Sequence, residues 1–98
     1  MSEDLNNIIN FVQNYCEPTR LLPVVAQGSL LGYNLEVIIN QGVDPKHIRP
    51  IERFNQSRGS NSRVILNLSD HLIDAVDIVK RCGYKISMTT RGYMRVHK

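Results

Sequence analysis

Three histidines are the side chains of this 98-residue chain best suited to acid–base chemistry. His47, His71 and His97 are widely spaced, and no glycine-rich phosphate loop, HExxH motif, GxSxG motif or Cys–His pairing accompanies them. A metal-independent ribonuclease built from Tyr93, Arg95 and His97 would lack a second placed acid–base group. We therefore predict that the chain is not an enzyme.

Acidic and thiol side chains are the other candidates for chemistry. Asp70, Asp74 and Asp77 share one face of a predicted helix and could in principle hold Mg²⁺, but helix-dipole and i,i+4 roles explain them better. Cys16 and Cys82 lie near the ends of two predicted helices, without CxxC spacing. This spacing favours two buried, reduced thiols over a disulfide framework or a zinc site. The sequence predicts no metal and no cofactor.

The C-terminal residues predict a β-hairpin. Residues 84–89 and 93–97 both alternate in polarity, and Gly92 closes the three-residue segment between them. A three-residue loop with glycine in the left-handed position fits a type I turn followed by a G1 bulge. The resulting register places four apolar side chains on the face expected to pack on the preceding helix: Ile86, Met88, Met94 and Val96.

The opposite face of this hairpin is basic and has one aromatic residue. Lys85, Arg95 and Tyr93 point outward in the predicted register, and Arg91 lies at the tip of the loop. Such a face is either an ordinary solvated sheet surface or a surface that contacts phosphate. On the second interpretation, the candidate nucleic-acid-binding residues are Arg58, Arg63, Lys85, Arg91, Tyr93 and Arg95.

Charge is divided unevenly along the chain. Residues 1–44 hold five acids and one base, whereas residues 45–98 hold eleven bases and four acids, for a net charge of +3. Seven of those eleven bases are arginine, which binds phosphate as a planar fork and also stacks on bases. The asymmetry predicts a polyanionic partner, RNA or DNA. The alternative is an inhibitor or adaptor, such as a small phage-type regulator, that docks on an acidic protein surface.

Hydrophobic periodicity predicts a small α+β fold. A first helix runs from Ser2 to about residue 16, followed later by a strand over residues 64–68. A second helix begins at Ser69 as N-cap and ends at Gly83, with Leu72, Val76 and Val79 facing inward. The predicted architecture is an acidic, mainly helical half over residues 1–44 and a basic strand–helix–hairpin half over residues 45–98.

The middle of the chain is ambiguous. Leu35, Val37 and Ile39 alternate as in a strand, but residues 21–43 also fit a helix, which we favour; a weak helix-turn-helix pattern is a third possibility. Residues 46–54 fit an edge strand or an extended lead, because Pro50 excludes a central strand. Residues 56–62 have the composition of a flexible connector.

One segment resembles a known family. Residues 64–98 share the strand–helix–strand–strand order of the first part of an RNA-recognition motif, and Tyr93 matches a base-stacking position. Arg95 and Val64 stand where that family has further aromatic residues, and no helix and fourth strand follow Val96. A C-terminal basic hairpin after a helix is also similar to the wing of a winged-helix protein. The resemblance implies binding of RNA or DNA.

Chain length bears on the number of domains, and the N-terminal residues bear on the cellular location. Ninety-eight residues with ordinary apolar content predict one domain with one modest core. The first residues are acidic and the following helix is amphipathic, so no signal peptide or membrane span is expected. We expect a cytoplasmic or nuclear protein that does not bind membranes.

Overall fold

The computed structural model describes residues 2–58 and 62–98; the side chains of Ser2, Ser57 and Arg58 lie outside this description. The elements in chain order are α1 (Ser2–Asn14), β1 (Cys16–Ala26), β2 (Ser29–Ile39), α2 (Pro45–Ile48), a first 3₁₀ helix (Arg49–Phe54), β3 (Asn55–Arg58), β4 (Arg63–Leu66), a second 3₁₀ helix (Ser69–His71), α3 (Ala75–Arg81), β5 (Lys85–Met88) and β6 (Met94–His97). The predicted α+β class is confirmed. No described helix has the length and apolarity needed to cross a bilayer.

A single antiparallel sheet holds these elements together. Its six strands lie in the order β3-β4-β2-β1-β6-β5, so the long β1–β2 hairpin is at its centre. Helices α1 and α3 pack on one face of this sheet, and buried side chains from both layers form one core. The fully buried members include Ile8, Phe11, Leu21, Leu35, Val37, Val64, Leu66, Ile78 and Val79. Neither α1 nor α3 packs on the opposite face, which we call the helix-free face; the second 3₁₀ helix reaches it through Ser69, which donates a hydrogen bond to Asn34.

The β1–β2 hairpin shows that the helical interpretation of residues 21–43 is wrong. Gln27 and Gly28 both have positive φ, 52° and 79°, which is the two-residue type I′ turn that matches strand twist. Leu35, Val37 and Ile39 are buried on one face, as strand alternation predicts. Pairing with β1 and β4 on both sides of β2 outweighs the helical periodicity. The helix-turn-helix alternative is excluded for the same reason.

The C-terminal hairpin has the predicted register. Ile86 pairs with Val96 and Met88 with Met94, and Gly92 has a left-handed φ of 87°. One detail is wrong, because Met88 is 67% exposed rather than packed inward. It lies on the edge strand β5, next to the loop. The order β4–α3–β5–β6 is also confirmed, but β1 and β2 lie between β4 and β6, so this segment is not a self-contained unit.

The helix before that hairpin begins later than predicted. Ser69 does not cap it; a 3₁₀ helix starts there, and Asp74 is the true N-cap, accepting hydrogen bonds from the backbone N–H groups of Val76 and Asp77. A carboxylate at this position accepts hydrogen bonds from two otherwise unpaired N–H groups, and its negative charge interacts favourably with the positive end of the helix dipole. Leu72 consequently lies outside the helix and is 86% exposed, which contradicts its predicted inward position. Gly83 follows the helix with a φ of 87°, as predicted.

Residues 45–58 also differ from expectation. The predicted edge strand or extended lead over residues 46–54 is wrong, because Asp44 caps a short helix that Pro45 begins and a 3₁₀ helix continues it. Ile51 and Phe54 are nevertheless buried anchors. The predicted flexible connector begins within β3, which pairs with β4. Its residues 59–61 lie outside the described part of the chain.

We expect Ile78→Ala to destabilise the protein and Met88→Ala to leave it nearly unchanged. Ile78 has no exposed surface, so truncation leaves a cavity in the core and should lower the free energy of unfolding by about 2–5 kcal/mol. In a domain of this size each kcal/mol shifts the melting temperature by about 4–8 °C. Met88→Ala should change the free energy of unfolding by less than about 0.5 kcal/mol. Equal losses in thermal melts of the two variants would contradict this packing.

Candidate nucleic-acid interface

Strand register brings charged side chains together on the helix-free face of the sheet. Arg20 of β1 lies opposite Arg95 of β6 and opposite Glu36 of β2. Glu36 lies in turn opposite Ile65 of β4, and Arg95 opposite Ser87 of β5. Directly opposed residues of antiparallel strands share a face. These five residues therefore form a row across five strands.

A second row of the same face adds further basic groups. Arg63 lies opposite Ile38, and Lys85 lies opposite His97. The side chains of Arg20 and Arg63 are 40% and 53% exposed, and Lys85 and Arg95 are exposed as well. We define the basic face as Arg20, Arg63, Lys85 and Arg95.

Glu36 is the acidic centre of this face. Its side chain is 7% exposed and accepts two hydrogen bonds from the Arg20 guanidinium, Nε to Oε1 and Nη2 to Oε2, each of 3.1 Å. Arg63 Nη1 lies 3.7 Å from Oε1. Burial acts to raise the pKa of this carboxyl, but the hydrogen bonds from Arg20 and Thr19 and the charges of Arg20 and Arg63 outweigh it, so the pKa lies below its usual value.

A β-bulge in β1 makes this coordination possible. The pairing of β1 with β2 shifts between Pro18 and Arg20, so Thr19 and Arg20 both lie against Glu36. The Thr19 hydroxyl Oγ1 is 2.8 Å from Oε1 of Glu36. A bulge sets two residues of one strand against one residue of the other and redirects their side chains. Here it directs two donors to one carboxylate.

Tyr93 is an exposed aromatic ring beside the basic face. It is 41% exposed and directly precedes β6, in alternation with Arg95. The Thr89 N–H donates to its carbonyl over 2.9 Å, which closes the hairpin loop. The Cζ atom of Arg20 lies 5.9 Å from the ring centroid, within the range of a cation–π contact. A base stacked on this ring would therefore lie close to a guanidinium group.

Most of the residues predicted from the sequence meet on this surface. Lys85, Tyr93 and Arg95 lie on one face, as predicted, and Arg91 is exposed at the loop tip. Arg63 joins them from β4, where it lies beside Glu36. Arg58 ends β3, and its side chain lies outside the described residues.

Arg20 was missed by the sequence reasoning, although it is central to the site. It was counted only as the single base of the acidic half. The signal that could have found it is the Gln27–Gly28 turn between two apolar runs, which makes residues 16–26 a strand. Pairing that strand with the C-terminal hairpin would then have placed Arg20 among the other bases.

Positive charge exceeds negative charge on this face. Within the described residues, no acidic side chain forms an ion pair with Lys85, Arg91 or Arg95. Glu17, opposite Ile38, is the second acid that the register places on this face, and it is exposed. The surface thus presents several cations without protein partners and can attract an anion.

The other candidates for chemistry have separate structural roles. No group of three or more His, Cys, Asp or Glu side chains in the described residues could hold a metal ion. Asp77 pairs with Arg81 over 2.8 Å, which confirms the predicted i,i+4 contact. Cys16 and Cys82 are free thiols, and burial, reinforced by Cys82, raises the pKa of the Cys16 thiol to about 12. Near neutral pH, Cys16 is therefore protonated and a poor nucleophile.

Comparisons of the chain with protein-family models, with curated proteins and with solved structures give no match. The resemblance to the RNA-recognition motif thus gains no support from them. The functional argument has to come from the geometry and charge of the basic face.

We expect Glu36→Gln to lower stability at neutral pH and to make stability less sensitive to acid. The substitution keeps the size of the side chain but leaves Arg20 and Arg63 without their shared counter-charge. This loss should lower the free energy of unfolding by about 1–3 kcal/mol. The pKa of Glu36 is lower in the folded protein than in the unfolded chain. The contribution of Glu36 to the free energy of unfolding is therefore complete above the unfolded pKa and is lost as pH falls through the folded pKa. The gap between parent and variant in chemical denaturation should therefore narrow from pH 7 to pH 3.

Glu17→Gln is the matched control for this experiment. Glu17 is exposed on the same face and makes no ion pair with another described residue, so its replacement should change stability at pH 7 by less than about 0.5 kcal/mol. A gap between parent and Glu36→Gln that stays constant with pH would mean that the Glu36 charge does not stabilise the fold.

Proposed function

We propose that this protein binds nucleic acid without catalysing a reaction and that the basic face of its sheet contacts the phosphate backbone. The observation that carries the proposal is the row formed by Arg20 and Arg95 on neighbouring strands, with Lys85 and Arg63 beside it. Among the described residues, the only buried acid on this face is Glu36, which is already bound to Arg20. Lys85 and Arg95 form no ion pair among the described residues and are available to an external anion.

The placement of Arg20 opposite Arg95 argues against a merely solvated sheet face. Like charges directly opposite each other on adjacent antiparallel strands are destabilising. Glu36 offsets this repulsion on the side of Arg20, whereas Arg95 has no acidic partner among the described residues. A phosphate group between the two strands would supply the missing negative charge and would remove the repulsion on binding.

The residue types also favour phosphate over an unspecific anion. Arginine presents a planar fork that matches two phosphate oxygens, and three of the four residues of the basic face are arginine. Tyr93 adds an exposed ring to which any base can stack. Proteins that bind single-stranded nucleic acids combine cations along the backbone path with aromatic rings on which bases stack. Arg91 at the loop tip would extend the phosphate path beyond the sheet.

We expect Arg91→Ala/Arg95→Ala to weaken binding to oligonucleotides of every sequence alike. If Arg63, Lys85, Arg91 and Arg95 each contact one phosphate of a single strand, the slope of log K against log salt should be about −3. Loss of two contacts should reduce its magnitude by about 1.4. Fluorescence anisotropy over a range of NaCl concentrations measures both slopes. The fold should survive, because both side chains are exposed.

Arg49→Ala/Lys80→Ala is the matched control for the effect of net charge. It lowers the formal charge by the same two units, but Arg49 belongs to the first 3₁₀ helix and Lys80 to α3, which packs on the other face of the sheet. Its salt slope should equal that of the parent. Equal losses in both double variants would show that only net charge matters. No binding of either RNA or DNA by the folded parent at low salt would overturn the proposal and favour an acidic protein partner.

We expect Tyr93→Ala to weaken binding of single strands and to have little effect on duplexes. Loss of one stacked base should cost about 1–3 kcal/mol, or roughly ten- to a hundredfold in affinity. Tyr93→Phe retains the ring and should bind single strands like the parent. Equal weakening by both substitutions would indicate that the hydroxyl, and not stacking, makes the contact.

A further inference from the structure

The β1–β2 hairpin extends beyond the rest of the sheet as a two-stranded arm. β6 pairs with β1 only at Arg20 and Leu21, and β4 pairs with β2 only from Leu35 to Ile38. Residues 22–33, which we call the arm, therefore lack a third strand among the described residues. No residue between Leu21 and Leu35 carries a charge. An uncharged, unpaired ribbon is a surface that soluble proteins ordinarily protect.

The arm and its neighbourhood expose most of the large apolar side chains on the described surface. Val25, Leu30 and Leu31 are 60%, 54% and 63% exposed, and Leu72 is 86% exposed. Only two other large apolar side chains of the described residues are comparably exposed, Met88 and Tyr93 of the C-terminal hairpin. Val25 and Leu30 pair across the two strands, and Leu31 follows Leu30 in the chain. Clusters of exposed apolar residues mark interaction sites, whereas single exposed apolar residues do not.

Leu31 and Leu72 stand at the two sides of one cleft. The cleft has a volume of about 260 Å³ and is lined by Leu31, Gly32, Tyr33, Ser69, Leu72, Ile73, Asp74 and Ala75. A Cβ atom at Gly32 would lie 3.3 Å from Cβ of Ser69, so glycine lets the 3₁₀ segment approach the arm closely. The one charged lining residue, Asp74, already caps α3. The cleft is therefore mainly apolar, and the Asp74 carboxylate is the one charged group in its lining.

The backbone at Leu72 indicates that this exposed leucine has a role outside its own fold. Its φ and ψ of 58° and 31° lie in the left-handed region, which a bulky side chain adopts only with strain and asparagine adopts more readily. In the isolated chain the side chain gains little in return, because it is almost fully exposed. Strained positions that persist without local benefit are often functional sites.

We propose that two copies of this chain associate through the arm and the Leu72 cleft. In a two-fold dimer the same patch of both copies forms the interface, so this patch must be self-complementary. The arm meets this requirement, since it is apolar and uncharged although each chain has a net charge of +3. Tips bearing Val25 and Leu30 would enter the cleft of the partner. Four side chains that are each more than half exposed supply an apolar centre for the roughly 800 Å² per partner that a stable interface needs.

A partner segment of different chemistry fits the arm less well. A charged peptide would find no counter-charge between Leu21 and Leu35. Nucleic acid would likewise meet no cation there, so the dimer surface is separate from the basic face and the inference does not depend on the proposed function. The arm of a second copy brings no charge to the cleft.

Sedimentation equilibrium of the parent and two asparagine variants tests the proposal. The parent should approach twice its chain mass of 11.2 kDa as concentration rises. Leu72→Asn should raise the dissociation constant by about tenfold or more, as expected for a buried apolar anchor. At concentrations where both proteins are monomeric, its melting temperature should equal or exceed that of the parent, because asparagine relieves the backbone strain. If Leu72 had a purely structural role, Leu72→Asn would instead lower the melting temperature of the monomer.

Met88→Asn is the control, because it removes an equally exposed apolar side chain outside the arm and should leave dimerisation unchanged. Should Leu72→Asn fail to fold, Leu30→Thr at the arm tip takes its place and is expected to weaken the dimer similarly. A parent that stays monomeric up to the highest soluble concentration overturns the proposal. So does a dimer that Met88→Asn weakens as much as the arm variants do.

Discussion

The carboxylate of Glu36 is the contact on which the helix-free face of the sheet depends. It lies on a central strand, is nearly buried, and is bound by Arg20 from one neighbouring strand and approached by Arg63 from the other. Without this charge the two guanidinium groups would repel each other across β2. Two hydrogen bonds already fix the Arg20 side chain. It therefore loses less conformational entropy than a mobile side chain would when an anion binds beside it. One buried acid thus organises a face on which basic residues predominate.

The layered architecture explains why the polar face stays open. α1, α3 and the first 3₁₀ helix supply apolar side chains to one side of the sheet, so residues such as Leu35 and Val37 point there. Strand alternation then forces Asn34 and Glu36 to the other side, where both are buried but hydrogen-bonded. An open antiparallel sheet can tolerate this arrangement, because one of its faces may remain in contact with water. The proposed binding surface follows from the packing of the core.

Local patterns predicted local structure, and the failures lie where distant residues decide. Gly92 and the alternation around it fix the register of the C-terminal hairpin, so Lys85 and Arg95 could be placed on one face from the sequence. Residues 21–43 satisfy helical and strand periodicity alike, and Gln27 is a weaker turn signal than asparagine would be. Pairing of Arg20 with Arg95 joins the two ends of the chain and leaves no trace in local sequence.

The two proposed surfaces are carried by the same pair of strands. β1 and β2 hold Arg20 and Glu36 near one end and form the uncharged arm at the other. No flexible linker separates these ends, so a dimer formed through the arms would hold two basic faces at a fixed distance. Binding of one face to a nucleic-acid strand would then raise the effective concentration of the second, provided that the strand can span both. Affinity for long strands would exceed that for short ones, although each basic face makes the same contacts with both.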